Sequence, residues 1–255
     1  MSSSSATSYE KFDEPFARIY NESLGPGYNE LALPTLEKLL LPYVPEGANI
    51  LDLCCGTGQL SQWLLNKGYQ VTGIDRSQTM LEYARKNAPN CKLILGDVRF
   101  FELPPTFHAV YSMGLGLNHI LNLSELTGTF HNVYNALHSN GIFVFDLRLE
   151  DAHNRPSWNG RILGNIKDEY AWAMKNIYHP ESREGQIYLT IFHLIEKDCW
   201  KRLDTTWPVI AYSKAEVQSA LEKVGFKEVN VYDVKLDLAL DTEADMVCFV
   251  CRKLN

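Results

Sequence analysis

From Asn49 to Leu147 the apolar residues follow two alternating rhythms, short unbroken runs and longer stretches in which they recur at helical spacing. The first rhythm predicts buried strands at Asn49 to Leu53, Tyr69 to Ile74, Lys92 to Leu95, His108 to Met113 and Gly141 to Leu147. The second predicts helices at Gly58 to Lys67, Ser77 to Asn87 and Ser124 to His138. Their inward stripes are Leu60, Trp63 and Leu64, then Met80, Leu81 and Ala84, then Leu126, Phe130, Val133 and Leu137, and Ser77 stands as an N-cap. Strands that alternate with helices and are apolar throughout imply a parallel sheet covered on both faces.

Two helices are expected ahead of this unit. One runs from Tyr9 to Tyr20 on Phe12, Phe16 and Ile19. The other follows a break at Gly25-Pro26-Gly27, with Leu31, Leu36 and Leu39 inward and Pro34 in its first turn. Residues 1 to 8, rich in serine, read as a disordered tail. After Arg148 the pattern changes to aromatic and β-branched runs at Tyr170 to Met174, Ile187 to Leu194 and Trp200 to Trp207, punctuated by His179-Pro180 and Glu184-Gly185. These predict antiparallel strands in an inserted cap over residues 160–208. Ser213 and Glu216 form a capping box, Gly225 stops that helix, and Glu228 to Leu236 and Met246 to Arg252 are closing strands. The expectation is one domain over 9–255: a helical lid (9–45), a core (46–148 and 209–255) and the cap.

Composition narrows the function. A net charge of −7 over 255 residues argues against a nucleic-acid partner, which would need clustered lysine and arginine. No apolar run reaches the length of a membrane span. Six cysteines without an export signal imply free thiols and a reducing, cytoplasmic setting. Cys248 and Cys251 have C-x-x-C spacing, but a strand would turn them to opposite faces and no second pair exists, so no metal site is expected.

The chemistry gathers at the ends of the first strands. Gly56-Thr57-Gly58 follows Asp52-Leu53-Cys54-Cys55, and glycines at a strand-to-helix turn let the backbone approach a small polar ligand. The pattern lacks the third glycine of a dinucleotide loop, since Ser61 stands there, and Asp52 before the turn would oppose a pyrophosphate. Asp75, ending the second strand, can accept from both hydroxyls of a ribose. Gly96-Asp97-Val98, after the third, offers a carboxylate for an exocyclic amine, with Val98 and Met80 as apolar faces for a ring.

Ile50 to Gly58, Val71 to Asp75 with Ser77 and Met80, and Gly96 to Val98, in that order, resemble three motifs of the class I S-adenosylmethionine-dependent methyltransferases. The resemblance covers about Tyr9 to Leu147, and more weakly Tyr212 to Phe226. It departs at His138-Ser139-Asn140-Gly141, where the family commonly has Lys-Pro-Gly-Gly. It implies an α/β, Rossmann-like, seven-stranded and mostly parallel sheet, with S-adenosyl-L-methionine as cofactor. Gly56 and Gly58 would line its homocysteine part together with Asp52, Cys54 and Thr57, Asp75 and Arg76 would lie at the ribose, and Gly96, Asp97, Val98 and Met80 at the adenine. Ser112 and Met113 would sit near the sulfur, and Tyr20 matches a lid tyrosine of small-molecule N- and O-methyltransferases.

Catalytic or orienting candidates are His119 and Asn118, at the edge after the fourth strand, and Tyr20. His193 and Tyr212 rank lower, and Trp172, Trp200 and Trp207 are expected to pack the cap. The implied function is methyl transfer to N or O of a small-molecule acceptor by in-line displacement, in a monomer or homodimer. The competing readings are a non-catalytic S-adenosylmethionine-binding protein and a nicotinamide-dependent oxidoreductase.

Overall fold

The computed structural model describes residues 14–240, 242 and 245–254. The expected tail and the beginning of the first helix lie outside the described residues. The chain builds a seven-stranded sheet in the order β10-β11-β5-β4-β1-β2-β3. Its strands are β1 (Asn49–Leu53), β2 (Gln70–Asp75), β3 (Lys92–Leu95), β4 (Phe107–Ser112), β5 (Leu137–Leu147), β10 (Lys227–Asp233) and β11 (Val247–Arg252). Only β11 runs against its neighbours, pairing antiparallel with both β5 and β10.

Alternation within each strand sends its side chains into two cores. Leu51 and Leu53 pack with Phe130, Val133, Val217 and Leu221 of α5 (Leu123–Ala136) and α7 (Lys214–Val224), whereas Ile50 packs with Leu36 and Leu64 of α2 (Gly25–Leu39) and α3 (Gln59–Asn66). The same rule splits the C-x-x-C pair, Cys248 lying in the second core and Cys251 in the first. The described residues contain no group of His, Cys, Asp and Glu suited to a metal, and no helix among them is long and apolar enough to cross a membrane.

Strand order reverses between β1 and β4. β2 and β3 continue on one side of β1 and β5 on the other, so a crevice opens at their carboxyl ends, where ligands bind in sheets of this kind. On one side it is flanked by α4 (Gln78–Asn87), capped by Ser77 Oγ, which accepts from the Met80 amide.

The N-terminal segment departs from expectation. Gly25-Pro26-Gly27 does not break it: α1 (Glu14–Ile19) passes through a π-helical turn, Tyr20–Leu24, directly into α2. Pro26 falls in the first turn of α2, where a missing N–H costs little, while Pro34 stands in the helix interior and not in its first turn. The wide turn presents Tyr20 toward the crevice, a common use of π turns.

The cap is a second sheet of four antiparallel strands, β6 (Ile162–Ile166), β7 (Tyr170–His179), β8 (Glu184–Glu196) and β9 (Cys199–Ile210). β6 has no counterpart in the sequence reading, because Arg161 to Lys167 shows neither an apolar run nor alternation. Phe16 and Ile19 of α1 and Met80 of α4 pack with Tyr170, Trp172, Leu189, Ile191 and Trp207, closing the crevice from above. The three cap tryptophans do not cluster: Trp172 and Trp207 are buried, but Trp200 is 44% exposed on the outside.

Candidate active site

Two cavities meet in the crevice. The one over the ends of β1, β2 and β3, about 170 Å³, is lined by Tyr20, Cys54, Gly56, Asp75, Arg76, Met80, Gly96, Asp97, Val98 and Met113 among the expected residues. The other, about 520 Å³, lies between α2, the end of β5 and the cap. Leu24, Tyr28, Gly114, His119, Met174 and Ile187 line both.

Asp75 is fixed before any ligand arrives. Its Oδ2 accepts from the Gly56 amide at 2.9 Å and its Oδ1 from the Ser77 amide at 2.8 Å. Burial pushes this carboxyl up, against the pull of those two amides. Gly56 needs its freedom, with φ +53°, and an added Cβ would stand 3.3 Å from the Tyr20 ring.

Asp97 differs. Arg99 donates to it from Nε at 3.0 Å and 3.1 Å, from a terminal nitrogen at 2.7 Å and from its amide at 2.9 Å. Burial raises this carboxyl, but the hydrogen bonds and charge of Arg99 outweigh it and hold it below the usual range. Arg99 had no signal in sequence beyond standing two residues after the acid, and it occupies the carboxylate that the motif reserves for an amine.

Four expected residues lie off the larger wall. Asp52 points to the α3 face, where Ser61 Oγ donates to it at 2.7 Å, and with Thr57 it lines only a small adjoining recess. Burial pushes the Asp52 carboxyl up to about 7. Gly58 lines neither cavity: at φ +75° its Cβ position is 2.9 Å from Ala84 Cβ, so α4 and not a ligand demands glycine there. Ser112 is fully buried beneath the crevice.

His119 ends a 3₁₀ turn, Gly116–His119, and lines both cavities. Its Nδ1 lies 3.4 Å from the Pro208 carbonyl, which can only accept, so Nδ1 carries the hydrogen and Nε2 is left as an acceptor. Burial, aided by the charge of Arg76, pushes its pKa down to about 4, so the ring is neutral at pH 7. Asn118 is a different case. Its Oδ1 accepts from the Arg148 amide at 3.0 Å, and its Nδ2 donates to the Arg148 and Ile210 carbonyls at 2.9 Å and 3.3 Å. It spends its amide pinning backbone. Tyr212 likewise donates to the Ile120 carbonyl at 2.6 Å, and His193, on β8 of the cap, lines neither cavity.

Missed by sequence reasoning were Tyr28, Arg148, Trp158 and Asn176, all on the larger cavity. Of these only Arg148, directly after the β5 run, stood at a strand end where functional groups are expected.

Residues 50–141 match the family of the methyltransferase domain. A Geobacillus protein (strain WCH70) described as a methyltransferase is 26% identical over 96% of this chain and 99% of its own. The dTDP-3-amino-3,4,6-trideoxy-α-D-glucopyranose N,N-dimethyltransferase of Streptomyces venezuelae is 31% identical over 40% of this chain and 43% of its own. In fold, the chain is similar to an S-adenosylmethionine-dependent methyltransferase from Clostridium acetobutylicum, with a TM-score of 0.77, 20% identity, and coverage of 94% of this chain and 98% of that one. The motif order, the crevice and these likenesses agree, and together they support a class I S-adenosylmethionine-dependent methyltransferase.

Proposed function

We propose that the enzyme methylates the nitrogen of a small-molecule amine held in the larger cavity, the one that shares His119 and Tyr28 with the cofactor side. The observation that carries this is the lining of that cavity. Among the described residues it includes no carboxylate. Its histidine on the shared wall is too weak a base, at about 4, to take the proton of an alcohol. Burial pushes the Tyr20 and Tyr28 hydroxyls up as well. A neutral amine needs no base before transfer and sheds its proton afterwards. The aminosugar N,N-dimethyltransferase likeness supports the same choice.

The donor set fits S-adenosylmethionine. Asp75 stands ready for ribose hydroxyls, its carboxylate held by backbone amides on the cavity wall. Gly56 and Cys54 approach the methionyl part through backbone, and Met80 and Val98 give adenine two apolar faces at the end closed by the Asp97–Arg99 pair. Bound there, the cofactor supplies a methyl group already activated by a sulfonium charge. The chain's own part is alignment and exclusion of water, effects that together reach about 7 kcal/mol or more when the fit is good. His119 Nε2 accepts one N–H of the amine and so aims its lone pair. Tyr20, Phe16 and Trp207 roof the cofactor side. The six cysteines, all free, support a cytoplasmic setting.

The test is turnover of a panel of amines, each matched with its alcohol, followed by release of S-adenosylhomocysteine, beside calorimetry of both cofactor forms. Amines are expected to be consumed and their alcohols not. Faster consumption of the alcohols, or no cofactor binding at micromolar level, overturns the reading.

A further inference from the structure

Arg148 leaves the end of β5 and lies along the wall of the larger cavity. Among the described residues its guanidinium makes one hydrogen bond, from Nε to the Asp245 carbonyl at 3.3 Å, and sits 5.9 Å from the Trp158 ring centroid. Both nearby carboxylates are committed elsewhere. Asp146 accepts from the Gly114 and Leu115 amides, each at 2.8 Å, while Asp245 takes Arg155 at 2.5 Å and the Ser157 hydroxyl. Arg148 therefore keeps a charge with no carboxylate within ion-pair reach among the described residues, and burial works against that charge. Trp172, 7% exposed and on the same cavity, has an indole N–H without a hydrogen-bond partner among the described residues. A half-buried cation and a buried donor without protein partners are costly unless a ligand completes them. Arg161, which donates to the Ser157 carbonyl at 3.3 Å, adds a second guanidinium to the same lining.

We propose that the acceptor carries an anionic group, carboxylate or phosphoryl, which docks on the terminal nitrogens of Arg148 and sets the amine toward His119. This rests on the reading of the larger cavity as the acceptor site. The planar fork of arginine suits either anion in bidentate fashion, and the Trp158 and Trp172 rings give the rest of the acceptor an apolar bed. The acceptor is then an amine with an acid or phosphate ester at its other end, not a plain amine.

The experiment uses matched probes on the full chain: amino acids against their amides, and phosphorylated amino alcohols or aminosugars against the unphosphorylated compounds. Binding is measured by calorimetry on the complex with S-adenosylhomocysteine, and turnover separately with S-adenosylmethionine. Anionic members of one arm are expected to bind, and their neutral counterparts to bind at least about tenfold more weakly; the arm that binds identifies the anion. R148M should weaken that binding about 10- to 100-fold, with R148K intermediate and cofactor affinity unchanged. Because R148M removes an uncompensated charge, its melting temperature without ligand should equal or exceed that of the parent, which separates lost recognition from misfolding. Equal binding of neutral and anionic members, binding of no anionic member, or unaltered binding by a folded R148M overturns the proposal. Anion binding that depends on Arg148 without methylation of any probe upholds the proposal and counts against amine transfer, whereas turnover of neutral amines alone does the reverse.

Discussion

The cavity proposed for the cofactor and the one proposed for the acceptor share a wall but are made of different material. Asp75, Arg76, Gly96 and Asp97 on the first stand at the ends of β2 and β3 or in the turns that follow, and their polar groups are held by near neighbours, as when Gly56 and Ser77 amides grip Asp75. The second is assembled from Arg148, His153 and Trp158 on one stretch, Trp172 and Asn176 on β7, and Thr242 much later in the chain. Two of its polar groups, the Asn176 Oδ1 and the Trp172 N–H, have no hydrogen-bond partner among the described residues. A site whose ligand is common to a whole family is satisfied locally and in advance. A site whose ligand is particular to one enzyme waits for it with open valences.

The sharpest way to break this contrast is within the cofactor cavity itself, between its two acids. Asp75→Ala removes both the proposed ribose contact and the grip on Gly56, and should weaken S-adenosylmethionine at least about 100-fold, about 3 kcal/mol, by calorimetry. Asp97→Ala, whose carboxylate already serves Arg99, should cost about tenfold or less. Equal losses would restore the adenine contact that the motif suggests. Next in size, Gly58→Ala forces a side chain into a left-handed residue against Ala84. It should lower stability by about 2 kcal/mol in denaturant unfolding while leaving cofactor affinity of the folded fraction near normal. A selective loss of affinity would return Gly58 to the binding wall.

A modest effect is expected at the shared wall. His119→Ala should lower kcat about tenfold with little change in cofactor affinity, as suits a group that orients and does not deprotonate. The pH profile gives the sign. The useful form of His119 is neutral and its folded pKa is depressed to about 4, so protonation of this ring removes activity only as pH approaches 4, leaving no loss from it near 6.5. An acid limb near 6.5 that disappears in His119→Ala would show an ordinary, solvated histidine.

The core sheet was legible because its central strands are buried on both faces and so declare themselves as continuous apolar runs, and because Gly56, Asp75 and Asp97 fall where strands end. The π turn was not. Gly25-Pro26-Gly27 carries every local sign of a break, yet packing of Phe16 and Ile19 under the cap and of Leu36 and Leu39 on the sheet holds helix on both sides of it, and tertiary burial outweighs propensity. Arg99 and Arg148 illustrate the other limit. Each stands in plain view in the sequence, but what gives it meaning is which carboxylate is already taken, a property of distant partners that spacing cannot convey.

Asn118 matters for a mechanical reason. One side chain fastens the end of β5 at Arg148 to the last residue of β9 at Ile210, next to the turn that bears His119. The arginine proposed to hold the anion, the histidine proposed to face the amine and the root of the cap are thus tied through one amide. On that proposal, seizing the acceptor and aiming it are mechanically coupled.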